Sequence, residues 1–70
     1  MRIAAIVRQG VAEGRWGPGQ PVPSITTLAQ EHGVARQTAA KALRLLESEG
    51  LVIRVPGLGY YVREVDQDAS

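Results

Sequence analysis

Seventy residues, 44% of them apolar, allow one small globular domain and leave no room for a second core. The absence of cysteine excludes a disulfide framework and a thiolate metal site. The apolar run at the N-terminus contains Arg8 and is too short for a signal peptide or a membrane span. The composition therefore predicts a cytoplasmic protein that is not held in a membrane, and no motif in it indicates a cofactor or a metal.

The formal net charge of +1 conceals an uneven distribution. Positions 34–63 carry five bases and two acids, which gives +3, whereas the last seven residues carry three acids and no base. Such a distribution is typical of a basic surface followed by a solvated acidic segment. We expect residues 1–65 to form the domain and residues 66–70 to be a disordered acidic tail.

The first predicted element is a helix over about residues 2–13. Apolar side chains recur in it at helical spacing, namely Ile3, Ile6, Val7 and Val11. Gly14 can end this helix in the left-handed conformation. The next segment, RWGPGQPVP, holds too many prolines and glycines for a regular element and is expected to be a structured connector. Trp16 within it is expected to pin the connector to the core rather than to stack on a ligand.

Two helices joined by a glycine-containing turn are predicted next. Ser24 stands at an N-cap position, and the apolar pair Leu28 and Ala29 indicates a short second helix over about residues 25–31. After Gly33 a third helix is predicted over about residues 36–48. Two helices in this arrangement are the pattern of a helix-turn-helix.

A β-hairpin is predicted beyond Gly50. The segments LVIRV and YYVREV are rich in β-branched and aromatic residues, with PGLG between them. Pro56 lacks a backbone donor and belongs at the tip or at a ladder edge. The alternation in LVIRV is imperfect, so two buried faces stay open: Leu51, Ile53 and Val55 alone, or the same residues joined by Val52. The predicted fold class is mainly α with a small β-hairpin.

The third helix presents two separate faces. At 100° per residue, an apolar arc of about 100° is formed by Ala39, Ala42, Leu43 and Leu46. A separate arc of about 140° is formed by Arg36, Gln37, Ala40, Lys41 and Arg44. The major groove of B-DNA is about 12 Å wide and admits such a helix. In it arginine suits guanine, glutamine suits adenine, lysine suits phosphate, and the small Ala40 permits close approach.

The hairpin adds a second candidate contact. Arg54 and the thin tip at 56–59 form an element that can lie along a phosphate backbone or in the minor groove, and glycine keeps the tip slim. The alternative is that the charged helical face is solvated surface and the tip a plain type I or II turn. That alternative explains the glycines of the tip but not the basic helix beside it.

The segments PGQPVPS, LAQEHGVARQTAAKALRLLESEGLV and GLGYYV resemble the winged helix-turn-helix DNA-binding domain of GntR-family bacterial transcription regulators. The resemblance covers about residues 3–63, with the motifs in order and at the family's spacing. It implies three helices followed by a two-stranded wing, and transcription regulation through sequence-specific binding of double-stranded DNA. The DNA-binding residues that the sequence predicts, from the resemblance and the two candidate surfaces together, are Ser24, Arg36, Gln37, Thr38, Lys41, Arg44, Arg54, Gly57 and Gly59.

The sequence also departs from the family's pattern. Ile25 and Thr26 stand where the family commonly has a glutamate and an arginine, so a basic phosphate contact is absent. Ala35 replaces a serine or threonine and removes an N-cap worth about 1 kcal/mol. Ala40 replaces a frequent arginine of the recognition helix. Each phosphate contact removed forfeits counterion release, so these departures predict weaker binding.

Family members usually carry an effector-binding, dimerising domain after the wing, and only seven residues follow Arg63 here. We therefore expect an effector domain to be absent from this chain. One such module makes a modest interface, because helix-turn-helix proteins usually read two half-sites one helical turn apart. A monomer in dilute solution that pairs on DNA is the expected state.

Two other classes of function compete with this interpretation. An enzyme is disfavoured, because His32 is the sole histidine and no nucleophile, phosphate-binding loop or metal-spaced cluster accompanies it. A winged-helix module that binds protein, with weak or no DNA binding, is the stronger alternative. It would use the hairpin edge or an apolar patch on the first helix, and the three departures favour it.

Overall fold

The computed structural model describes residues 2–64. Three helices are followed by an antiparallel hairpin, in the order α1 (Arg2–Ala12), α2 (Ile25–His32), α3 (Arg36–Ser48), β1 (Val52–Val55) and β2 (Gly59–Val62). This architecture confirms the predicted fold class. The expected tail at 66–70 lies outside the described residues. No helix within residues 2–64 is both long enough and apolar enough to cross a membrane.

One apolar core joins the three helices to the hairpin. Its largest fully buried side chains are Val7, Leu28, Leu43, Leu46 and Val52. The apolar arc predicted for α3 is buried in full, so this helix has its orientation set by the burial of one side. Hydrophobic burial is the main favourable term in folding a domain of this size.

The turn between α2 and α3 forms as the sequence predicts. The Ser24 hydroxyl accepts a hydrogen bond of 3.1 Å from the Thr27 N–H and caps the start of α2. Gly33 ends α2 with φ +63°, a left-handed conformation that glycine adopts without a steric penalty, and its N–H bonds to the Ala29 carbonyl. These two caps fix both ends of α2 and confirm the helix-turn-helix.

The connector after α1 is ordered by two sets of contacts. The Trp16 ring packs against the core and lies over Gly10 of α1, with the Arg15 guanidinium carbon 5.6 Å from the ring centroid. Further along, the Val22 N–H bonds to the Tyr60 carbonyl at 3.0 Å. The Val62 N–H in turn bonds to the connector's Gln20 carbonyl at 2.8 Å. Trp16 thus pins the connector as predicted. The connector also pairs with the free edge of β2 through an isolated bridge between Pro21 and Tyr61, which the sequence did not reveal.

The register of the hairpin settles which residues face the core. Val52 pairs with Val62 on the buried face, whereas Ile53 pairs with Tyr61 on the outer face and is 46% exposed. Because side chains alternate in a strand, the inward Val52 turns Ile53 outward. Both predicted faces contained Ile53 and are wrong there, whereas Val52, which the second face included, is buried. The predicted second strand is also wrong at its end, since β2 stops at Val62.

An ion pair ties α1 to the segment that follows α3. The Arg8 guanidinium donates from Nε to Glu49 Oε1 at 3.1 Å and from Nη2 to Oε2 at 2.7 Å. The fork geometry matches a carboxylate. Hydrogen bonding to Glu49 raises the pKa of Arg8 above its already high ordinary value. This guanidinium is therefore occupied within the fold and is unsuited to a ligand.

Candidate nucleic-acid interface

The outer face of α3 carries exposed polar and basic side chains. The exposed ones are Arg36, Gln37, Lys41 and Arg44, and Ala40 between them is half-buried. Within residues 2–64 the only ion pair joins Arg8 to Glu49, so none of the four has a carboxylate partner there. The face is thus separated from the buried arc, as predicted, and its charges are available to an external partner.

A shallow depression lies on this face of α3. Its volume is about 430 Å³, and its lining residues are Gln37, Thr38, Ala40, Lys41 and Arg44. All five come from a single helix, and Thr38 and Ala40 are the short side chains among the longer Gln37, Lys41 and Arg44. Four of the nine predicted DNA-binding residues are brought together here, and Arg36 lies on the same helix outside the depression.

The other predicted residues gather around a second cleft, between the start of α2 and the wing. This cleft of about 300 Å³ is lined by Ser24, Ile25, Thr26, Arg54, Val55, Gly57, Gly59 and Tyr60. Arg54 pairs with Tyr60 on the face of the hairpin that packs on the helices, which directs it to this cleft. The structure therefore divides the predicted site into two surfaces, one on α3 and one between α2 and the wing.

A tight turn forms the tip of the wing. The Leu58 N–H bonds to the Val55 carbonyl at 3.0 Å, with Pro56 and Gly57 as the two central residues. Gly57 has φ +80°, and proline followed by a residue of positive φ is the pattern of a type II turn. Leu58 is 70% exposed, the highest value among the large apolar side chains of residues 2–64. The glycines on either side of it, Gly57 and Gly59, are among the predicted DNA-binding residues, whereas Leu58 is not.

The Ser24 hydroxyl is committed within the fold. It accepts from the Thr27 N–H and donates to Thr27 Oγ1 at 3.0 Å. Ser24 also lines the second cleft, and its contact with DNA stays a prediction. A hydroxyl oxygen has two lone pairs, so the cap leaves one acceptor position, and the donor is in use. Ser24 is therefore better placed to hold α2 than to donate to a phosphate.

The start of α3 lacks the side-chain cap that α2 possesses. Ala35 is the N-cap residue, in extended conformation with φ −66° and ψ 151°, and no side chain bonds to the first turn. We expect Ala35→Ser to raise the free energy of unfolding by about 1 kcal/mol, because a serine hydroxyl satisfies one free N–H. Thermal unfolding by circular dichroism should show Tm about 4–8 °C higher.

Ser24→Ala is the matched control, with a loss of similar size from the cap of α2. An unchanged Tm for Ala35→Ser beside a lowered Tm for Ser24→Ala would show that the first turn of α3 gains nothing from a side-chain cap.

Similar sequences are found among bacterial regulatory proteins. Residues 1–62 match the family model described as bacterial regulatory proteins, gntR family. Over 63 residues the chain is 38% identical to a histidine utilization repressor of Pseudomonas putida, which covers 90% of this chain and 25% of the relative. It is 36% identical over 63 residues to the Escherichia coli repressor MngR of a mannosyl-D-glycerate transport and metabolism system, covering 90% of the chain and 26% of the relative. The chain thus spans about a quarter of the length of these relatives.

Two solved structures are similar to this chain both in fold and in sequence. The DNA-binding domain of AraR in complex with operator ORX1 has a TM-score of 0.84 at 33% identity, covering 87% of this chain and 74% of that one. YtrA from Sulfolobus acidocaldarius, a GntR-family transcription factor, has a TM-score of 0.83 at 34% identity, covering 97% of this chain and 58% of its own. The relatives are named as regulators, in agreement with the expectation that the chain is not an enzyme. The chain belongs to the GntR family of bacterial regulatory proteins and has the winged helix-turn-helix fold of that family's DNA-binding domain.

Proposed function

We propose that this chain binds double-stranded DNA sequence-specifically, as the DNA-binding domain of a bacterial transcription regulator. α3 enters the major groove with Arg36, Gln37 and Arg44 toward the base edges and Lys41 toward phosphate. The wing tip at 56–59 lies against the backbone or in the minor groove. The proposal places the protein in the cytoplasm, where bacterial DNA is found.

One observation carries the proposal: the outer face of α3 is cationic, exposed and unpaired within residues 2–64, while its opposite face is fully buried. A helix held in this way presents its row of donors in one direction, and the major groove offers base-edge acceptors to such donors. The AraR DNA-binding domain, which has the same fold, was solved in complex with operator DNA, and this supports DNA as the partner of this chain.

The second cleft supplies the backbone contact. Arg54 is exposed beside the start of α2, where the family's usual arginine is replaced by Thr26. A guanidinium at this place can bind the phosphate that the missing arginine of α2 would otherwise contact. Gly57 and Gly59 let the backbone of the wing approach a strand closely.

We further propose that the chain is a monomer in dilute solution and occupies two half-sites side by side on DNA. The basic face lies on one helix of one small module, and a single module of this size makes a modest interface. Two copies bound one helical turn apart would add their contacts. In a longer protein, an effector domain outside this chain would hold such a pair together.

A salt titration tests the function. We expect binding to random duplex DNA to weaken steeply as salt rises, with a slope of log K against log salt of about −2.7 to −3.6, as for three or four neutralised phosphates. Fluorescence anisotropy at four salt concentrations measures this slope. Lys41→Gln should make the slope shallower by about one unit, because one phosphate contact is lost.

The matched control is Arg2→Gln, which removes one exposed charge of α1 and should leave the slope unchanged. Little association at any salt concentration would contradict the proposal and favour the protein-binding alternative, in which the hairpin edge or an apolar patch on α1 forms the contact.

A further inference from the structure

The depression on α3 is lined by four polar or charged side chains and by one purely apolar side chain, Ala40. Ala40 contributes a single methyl group, and it lies between Gln37, one turn before it, and Arg44, one turn after it. The space exists because the side chain at position 40 ends at Cβ. An arginine here, frequent in the family, would extend through this volume and place a charge where the depression now is.

The base edges of the major groove contain one apolar protrusion. Guanine, cytosine and adenine present hydrogen-bonding nitrogen and oxygen atoms, whereas thymine adds a 5-methyl group that projects into the groove. A polar base atom placed over Ala40 would lose its water and gain no hydrogen bond, which is unfavourable. A thymine methyl placed there loses contact with water and packs on the alanine methyl, which is favourable.

We propose that the depression at Ala40 is a thymine-reading site, which accepts the 5-methyl group of one thymine in each half-site. This inference rests on the proposed function and adds a base that neither the charges nor the amide of α3 can select. It makes Ala40 a specificity-determining residue, although it carries no polar group.

The spacing along α3 gives the thymine its neighbours. From Gln37 to Arg44 the helix rises about 10 Å at 1.5 Å per residue, which corresponds to about three base-pair steps of 3.4 Å. Ala40 lies near the middle of this span. The thymine is therefore flanked by a base pair within reach of the Gln37 amide on one side and one within reach of the Arg44 guanidinium on the other.

The experiment removes the methyl group from each partner in turn. A bound sequence is first selected from a random duplex pool, and each thymine in it is then replaced singly by deoxyuridine, which differs only by the missing methyl. We expect one thymine per half-site at which the replacement weakens binding about four-fold, as for one buried methyl group. With Ala40→Gly that ratio should fall close to one, because the alanine methyl is gone.

Ala5→Gly is the matched control. Ala5 is exposed on α1, so its replacement carries the same intrinsic cost of glycine in a helix and leaves α3 intact. The four-fold ratio at the critical thymine should persist in this variant. Circular dichroism confirms that both variants are folded at the temperature of the assay.

The outcomes separate the two proposals. Sequence-selective binding in which no thymine replacement has an effect, or in which the effect is equal in Ala40→Gly and Ala5→Gly, overturns the thymine site and leaves the proposed function standing. Failure of the selection to enrich any sequence overturns the proposed function itself. A four-fold ratio that Ala40→Gly alone removes establishes the site.

Discussion

Replacement of Arg36 by alanine is expected to lower affinity for the selected DNA site by about 5- to 150-fold, the effect of losing one bidentate arginine–guanine contact of 1–3 kcal/mol. Arg36 is the first residue of α3, exposed and without a carboxylate partner within residues 2–64. In helix-turn-helix proteins the first residues of the recognition helix are those that reach base edges. Binding to random duplex should fall far less, since only one charge is removed.

The measured quantity is the ratio of affinities for the selected and the random duplex. Arg36→Lys provides a sharp comparison, because lysine keeps the charge and loses the planar fork. We expect Arg36→Lys to retain random-duplex binding and to lose most of the ratio. A ratio unchanged in both variants would remove the base-reading role from Arg36.

Arg63→Ala serves as the charge-matched control. Arg63 is exposed beyond β2 and lines a groove with Trp16 and Gly50, which is a different surface from the outer face of α3. The ratio of affinities should be unchanged in this variant. An equal loss from Arg36→Ala and Arg63→Ala would attribute the effect to net charge instead of to a contact with a base.

The second large effect is on stability: Gly10→Ala is expected to lower the free energy of unfolding by about 1–3 kcal/mol. In an ordinary helix interior the same change would be stabilising by about 1 kcal/mol. Here a Cβ on Gly10 would lie 3.0 Å from Cε3 and Cη2 of the Trp16 ring and closer still to Cζ3. The ring must move off α1, and the connector that Trp16 holds loses its packing.

The sign of the effect should reverse once the ring is removed. In a Trp16→Ala background, a methyl group at position 10 no longer meets the indole, so Gly10→Ala should raise stability by about 1 kcal/mol. Urea unfolding of the four proteins forms a double-mutant cycle that measures this coupling. A gain in stability from Gly10→Ala in both backgrounds would show that the ring yields at no cost.

Local signals in the sequence were enough to predict the helices and strands, and also the α3 surface of the candidate site. The glycines and the capping serine mark the ends of the helices, because few other residues adopt φ above zero or accept from a free N–H. The helical period of α3 is sufficient to separate its buried arc from Arg36, Lys41 and Arg44, since a rotation of 100° per residue depends on the chain alone. The same local signals could not show which cations are paired, because Glu49 meets Arg8 across 41 positions.

The sequence by itself determined the three helices, the wing and the cationic face of α3, because each depends on residues a few positions apart. Only the tertiary structure decided the inward face of β1, the pairing of the connector with β2, the fit of Trp16 over Gly10, and the gathering of Ser24 and Arg54 in one cleft. These features join segments that lie far apart along the chain. Local preferences favour several arrangements of such segments equally, and packing of the whole core selects one of them.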